Sequence, residues 1–209
     1  MIVAGISTRS VHRSSFLLLG YVSALLAGCG GPSSTTPARP TSPFTETDLR
    51  LFDDGVDLVS DPDGLGGKWA DDWNVDMRDR VNRSDLIALV TVNTLLSDTD
   101  PEGHVAHRLV VQVGTSMKGK PPADEINLSS LDSAIGFPTV DSNKGRLLHM
   151  RLLALLKWYE QPDGSVNSHF HLVADADTIV SRVQAHIERE TPQDRTLNQR
   201  RYDSSKGEK

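Results

Sequence analysis

The sequence has a single cysteine, Cys29, so the 209-residue chain can form neither an intramolecular disulfide nor a cysteine-built metal cluster. Aromatics are scarce at 5%, which suits one modest core and leaves little material for a ligand-stacking platform. Basic charge is also short: 22 Lys and Arg against 28 Asp and Glu give a net charge of −6, a balance that argues against a general nucleic-acid binder. The apolar run near the start, Phe16 to Ala27, falls well short of the ~20 residues of a membrane span. Local catalytic signatures are missing too. No G-x-S-x-G nucleophile elbow, H-E-x-x-H or Ser-x-x-Lys stands in the body of the chain, although a triad of separated residues would leave no such trace.

What is present begins with an address. Arg9, His12 and Arg13 precede the apolar run, which has the length of a secretory h-region and ends in Leu26-Ala27-Gly28-Cys29. This resembles the lipobox of bacterial lipoproteins, in which a peptidase cuts before the cysteine and the thiol carries a thioether-linked diacylglycerol. The resemblance implies that residues 1–28 are a signal peptide, that Cys29 is the acylated mature N-terminus, and that acyl chains hold the protein to a membrane. Gly30 stands where an aspartate would favour inner-membrane retention, so the resemblance points to the outer membrane in a cell that has one. Losing Arg9 and Arg13 with the signal would take the net charge from −6 to −8. Residues 29–44 are small, polar and proline-rich, a disordered tether, and 191–209 read as a disordered charged tail. One folded domain is expected over 45–190.

Within it, Trp69, Trp73, Met77 and Val81 recur every fourth residue, with Asp71 and Asp72 ahead and arginines behind, which predicts a helix near 71–83. Leu86 onward is β-branched and apolar on both faces, a covered strand. After a polar loop at 97–103, residues 105–114 alternate with period two, and His107 is the one interruption of the apolar edge. Ile126 and Leu128 mark a third strand, 131–144 reads as the longest loop, and 146–159 and 167–174 form a hairpin around Pro162-Asp163-Gly164. Asp177 caps a final amphipathic helix. The expectation is a mainly β domain: a five-stranded barrel, closed or nearly so, with a preceding helix and a C-terminal helix. Ser84 to Val92, Val111-Gln112-Val113 with Met117-Lys118-Gly119-Lys120-Pro121-Pro122, and Gly145-Arg146-Leu147-Leu148 resemble a recurrent pattern of secreted bacterial domains. That resemblance implies an oligonucleotide/oligosaccharide-binding (OB-like) barrel or its netrin-like relatives, a fold that hosts many activities.

Several groups invite chemistry. Gly114 to Lys120 spells a phosphate loop, but prolines follow where a hydroxyl and a helix are needed. Between Glu46 and Arg80 eleven acids face four bases, and Asp61, Asp63, Gly66 and Asp72 resemble a degenerate calcium loop, although Leu65 stands at a ligand position. A solvated acidic surface competes with that reading. His169 and His171 share one strand face, as zinc ligands do. The expected hairpin sets Leu156 opposite His169 and Ala154 opposite His171, leaving His149 about 17 Å away along its strand, too far to be the third ligand. Phe170, Leu172 and Ala174 would then face the core and both histidines the solvent. Trp69, Trp73 and Trp158 offer a sugar platform, with a core role as the competing reading. The leading expectation is a lipid-anchored, non-enzymatic binding module with no catalytic residues, metal or cofactor, meeting a protein or envelope partner through loops 97–103 and 131–144. The alternatives are a metal-dependent envelope enzyme or metal binder and a structural subunit of an envelope assembly.

Overall fold

The computed structural model describes residues 44–189, all within the second of two units, 35–209, into which the chain divides. Cys29, the tether up to 43 and the tail from 190 lie outside the described residues. In chain order the elements are α1 (Glu46–Leu51), β1 (Gly55–Asp57), a 3-10 turn (Pro62–Leu65), α2 (Gly67–Arg83), β2 (Leu86–Thr99), β3 (Val105–Lys118), β4 (Glu125–Leu131), α3 (Phe137–Leu147), β5 (Arg151–Glu160), β6 (Val166–Ala174) and α4 (Asp177–Arg189).

The domain is mainly β, but the sheet has six strands rather than five, in the order β1-β6-β5-β2-β3-β4. It curls into a half-barrel and does not close. The added strand is β1, which pairs parallel to β6 with Val56 opposite Leu172. Three residues are too few to show a period, so β1 leaves no alternation in the sequence. Its outer side is covered by the start of α3: Val56 N–H donates to Thr139 Oγ1 (2.9 Å) and Gly136 N–H to Asp53 O (2.7 Å). That cover is one reason the sheet can stay open, since a capped edge no longer invites pairing.

The other departures have local causes. Residues 131–144 are not a loop, because Phe137–Leu147 is helical; Gly136 caps it and Pro138 sits in its first turn, where a missing N–H costs nothing. Arg146 and Leu147 therefore end a helix instead of opening a strand, and His149, at φ 62°, turns the chain into β5. The Gly145-Arg146-Leu147-Leu148 part of the barrel resemblance lies in this helix and its cap. At 97–103 too the strands run further, β2 to Thr99 and β3 from Val105, because Ser97, Asp98 and Thr99 pair with His107, Ala106 and Val105. Helix α2 begins at Gly67, four residues before Asp71, and a further short helix, α1, precedes β1: Asp48 accepts hydrogen bonds from Thr45 N and Oγ1 (2.7 Å each) and so fixes its first turn.

Both faces of the sheet are covered. Leu86, Ala88, Leu109, Val111, Leu152, Leu156, Phe170 and Leu172 pack on the concave side with Val140 and Leu147 of α3. Ile87, Leu153, Leu155 and Val173 pack on the other side against Met77 and Val81 of α2 and Ile179 and Val183 of α4. This second layer places a group of titratable side chains under cover near β1.

Candidate functional site

Asp53 and Asp54 form the turn between α1 and β1, with Asp54 at φ 57° in the left-handed region that aspartate tolerates better than most residues. The parallel pairing of β1 with β6 brings this turn to the two histidines of β6. His171 Nδ1 bonds Asp53 Oδ1 (2.8 Å) and His169 Nδ1 bonds Asp54 Oδ2 (2.7 Å), across more than a hundred residues of sequence. Phe170 N–H donates to Asp54 Oδ1 (3.0 Å) and closes the turn onto the strand. The histidines are therefore not on a solvent face: His171 is buried and His169 half-buried, its ring clustered with Phe44 and Tyr159 at centroid distances of 5.0 and 4.8 Å, the latter two being 5.2 Å apart. The hairpin register is one residue from that expected, with Lys157 opposite His169 and Leu155 opposite His171. That slip keeps the β6 faces but puts the histidines in the row of Leu153, Leu155 and Lys157, under the helices.

The two neighbouring carboxylates are driven apart. Burial pushes Asp54 above its ordinary value, with the Asp53 charge adding to it, and this outweighs the His169 and Phe170 bonds. Burial acts on Asp53 in the same sense, but the hydrogen bond and charge of His171, the charge of Arg80 and a backbone bond outweigh it and hold Asp53 below the usual range. An ionised Asp53 can only accept, so His171 Nδ1 is the donor of that bond. The other ring nitrogen, Nε2, is buried and has no hydrogen-bond partner among the described residues.

The Asp53-Asp54 turn separates two concave regions. One, of about 800 Å³, is a groove between β4 and the β5–β6 hairpin, with Asp54 and His169 in its wall. The other, of about 680 Å³, lies between the β1 segment and α3 and is lined by Asp53 and His171.

In a second constellation, Ser97 Oγ bonds His107 Nδ1 (2.9 Å) and His107 Nε2 bonds Asp141 Oδ1 (2.9 Å), while Lys144 Nζ donates to the same oxygen (2.9 Å). The Lys144 and His107 bonds hold Asp141 below the usual carboxylate range, so it accepts from Nε2–H and Nδ1 accepts from the serine. The polarity is that of a Ser-His-Asp relay, but its evident work is mechanical. His107 is buried and stacked on Phe137 at 4.7 Å, and the chain of bonds fastens α3 to the β2–β3 hairpin. No spacing of residues 97, 107 and 141 could have announced it; the only trace was a histidine in an otherwise apolar strand edge.

The other candidates are not brought together. Asp61 precedes the 3-10 turn, Asp63 pairs with Arg182, and Asp72 lies within α2 rather than at its start, so the twelve-position loop is interrupted. Trp69 is exposed, Trp73 is buried under the helices with its Nε1 donating to Asp57 (2.8 Å), and Trp158 is in the concave core, so no shared platform exists. Among the described residues no three His, Cys, Asp or Glu side chains are arranged to hold a metal, and no helix is long and apolar enough to cross a membrane. No protein-family model and no curated protein matches the chain.

Proposed function

We propose that the chain is an envelope lipoprotein, anchored through acyl chains on Cys29, whose folded domain binds an extended segment of a protein partner along β4. The anchor rests on the lipobox, whose small residues and basic flank are those the processing machinery reads. The opened, curled sheet stands in this reading for the OB-like barrel, with the gap left by non-closure as the place where a ligand enters.

The observation that carries the reading is the outer edge of β4. It ends the strand order at the side of the sheet opposite β1. Val113 N–H donates to Asp124 O (2.7 Å) and Asp132 N–H to Val105 O (2.9 Å), so in this antiparallel register the even-numbered residues of β4 bond to β3. The backbone groups of Asn127 and Ser129 then point away from β3. Glu125, Asn127, Ser129 and Leu131 line the groove, facing Trp158, Tyr159 and Val166 of the hairpin. An edge that offers main-chain bonds beside alternating apolar and polar positions is suited to strand addition.

Ser129→Pro removes one outward N–H and none from the β3–β4 ladder, a position at which an edge strand tolerates proline. Solubilised from the envelope in mild detergent, the wild-type lipoprotein and Ser129→Ala should migrate in a larger assembly and Ser129→Pro as the free chain. Equal migration of all three would sink the edge as a docking site. The address is tested separately: Cys29→Ser should leave an unprocessed, unacylated precursor, and normal processing with normal membrane retention would refute the anchor.

A further inference from the structure

The groove between β4 and the β5–β6 hairpin has a neighbour in its own chain. Phe44, the first described residue, has its ring centroid 5.2 Å from that of Tyr159 and 5.0 Å from that of His169, and both of those side chains line the groove. Residues 29–43 therefore join the domain at the groove wall. Their sequence carries a pattern of its own: Pro37-Ala38-Arg39-Pro40-Thr41-Ser42-Pro43 sets a proline at every third position. Three residues make one turn of a polyproline II helix, so in that conformation the three prolines share one face. Each proline also fixes its φ before any docking, which lowers the ordering cost of such a segment below that of an ordinary polar one. Arg39 is the only charged side chain between Cys29 and Phe44.

The groove offers the complement. Proline-rich segments dock on aromatic-lined surfaces, and Trp158 and Tyr159 line the wall beside Phe44. The lining holds two carboxylates, Asp54 and Glu125, and neither a lysine nor an arginine. Asp54 is buried and engaged by His169 and Phe170, whereas Glu125 is exposed on β4 and is the acid a guanidinium can reach. From Phe44 back to Arg39 a polyproline II segment spans about 16 Å, close to the ~20 Å of a strand as long as β4, so the arginine falls within the length of the groove.

We propose that residues 37–43 dock into this groove of their own chain as a polyproline II segment, with the face of Pro37, Pro40 and Pro43 on Trp158 and Tyr159 and the Arg39 guanidinium, on the adjoining face, turned to Glu125. A contact within one chain needs little intrinsic affinity, because so short a link gives an effective concentration on the order of millimolar. The contact stands without the strand-addition reading. Where that reading holds, an incoming strand competes with the tether for the groove.

The test uses the full-length ¹⁵N-labelled chain in mild detergent, with Cys29→Ser so that a nitroxide can be attached at Ala38→Cys alone. Paramagnetic relaxation of the backbone amides then reads what the label lies near. The expected result is strong enhancement at Asn127, Ser129 and Val166, which line the groove, and none at Asp72 on α2. Pro37→Gly with Pro40→Gly keeps the length and charge of the tether but removes its preformed face, and Arg39→Glu keeps the prolines but reverses the charge. Each should lower the groove enhancement about fivefold, the effect of a tenfold weaker contact that takes the docked fraction from about a half to about a tenth. All of these substitutions precede the described domain, so its folding is not at stake. Equal enhancement in the parent and in both variants, which mere proximity would give, would overturn the proposal, as would enhancement at Asp72 matching that at Asn127 or none in the groove. No partner is present in the measurement, so its outcome is independent of the Ser129→Pro test.

Discussion

Asp85→Ala is expected to destabilise the domain by about 3–5 kcal/mol, a large share of the ~5–15 kcal/mol that holds a domain of this size together. Asp85 follows Ser84, the C-cap of α2, and its carboxylate meets the ammonium of Lys157 at 3.1 and 3.2 Å with both side chains almost wholly buried. Lys157 sits in the row of Leu153 and Leu155, beneath the helices and opposite His169. The same carboxylate accepts from Trp158 N–H (2.8 Å), and Asp85 N–H donates to Leu156 O (2.9 Å), which sets β2 against β5 at its first residue. Alanine removes the carboxylate facing Lys157 and the Trp158 acceptor together, in a place water does not reach. Breaking one side of such a pair is much worse than replacing both sides. Lys157→Met combined with Asp85→Asn should therefore recover most of the loss, since methionine matches the lysine stem and asparagine can still accept from Trp158. Urea unfolding at unchanged slope would read the difference. A loss below about 1 kcal/mol for Asp85→Ala, the scale of a surface pair, would show that the pair is solvated.

The second large effect joins the fold to the candidate site. A Cβ on Gly136 would lie 2.4 Å from Gly55 Cα, 2.5 Å from Gly55 N and 2.7 Å from Asp53 O, and none of these backbone atoms can rotate away. The φ of −84° suits alanine, so the cost of Gly136→Ala is steric alone. It should approach the upper end of the ~1–3 kcal/mol range for overpacking. The displaced atoms belong to the turn that carries Asp53, so the hydrogen bond from His171 should loosen with it. Gly145→Ala is the control within the same helix. Nothing lies within 4 Å of its added Cβ, and helix propensity alone should raise stability by up to about 1 kcal/mol. Thermal unfolding of the two variants should move in opposite directions, and equal shifts would mean that the Gly55–Gly136 contact does not hold α3 in place.

These effects also show where the sequence was readable. Strands β3, β4 and β6 follow from period two and the two longer amphipathic helices from period 3.6, while β2 and β5 follow from apolar runs covered on both faces. Trp73, Met77 and Val81 announced the buried face of α2, although Trp69, one turn earlier, lies beyond the end of the core and is exposed. Helix α3 stayed hidden because Gly136, Pro138 and Gly145 read as breakers, yet the first two begin a helix and the third is tolerated within it. The site was half legible. His169 and His171 stood out by their spacing, but their partners come from a turn more than a hundred residues away, placed there by a three-residue parallel strand. Without that strand the histidines had to be assigned to solvent, and Asp53 and Asp54 could not be told from the other acids of their segment.

The most direct measurement of the binding reading is photo-crosslinking in living cells, with benzoylphenylalanine at Asn127 on the outward edge of β4 and, as control, at Asp72 on α2. The account predicts one discrete protein adduct from position 127, absent from position 72 and lost when Ser129→Pro is added. Adducts that are equally diffuse at both positions, or an adduct from 127 that survives Ser129→Pro, would contradict it.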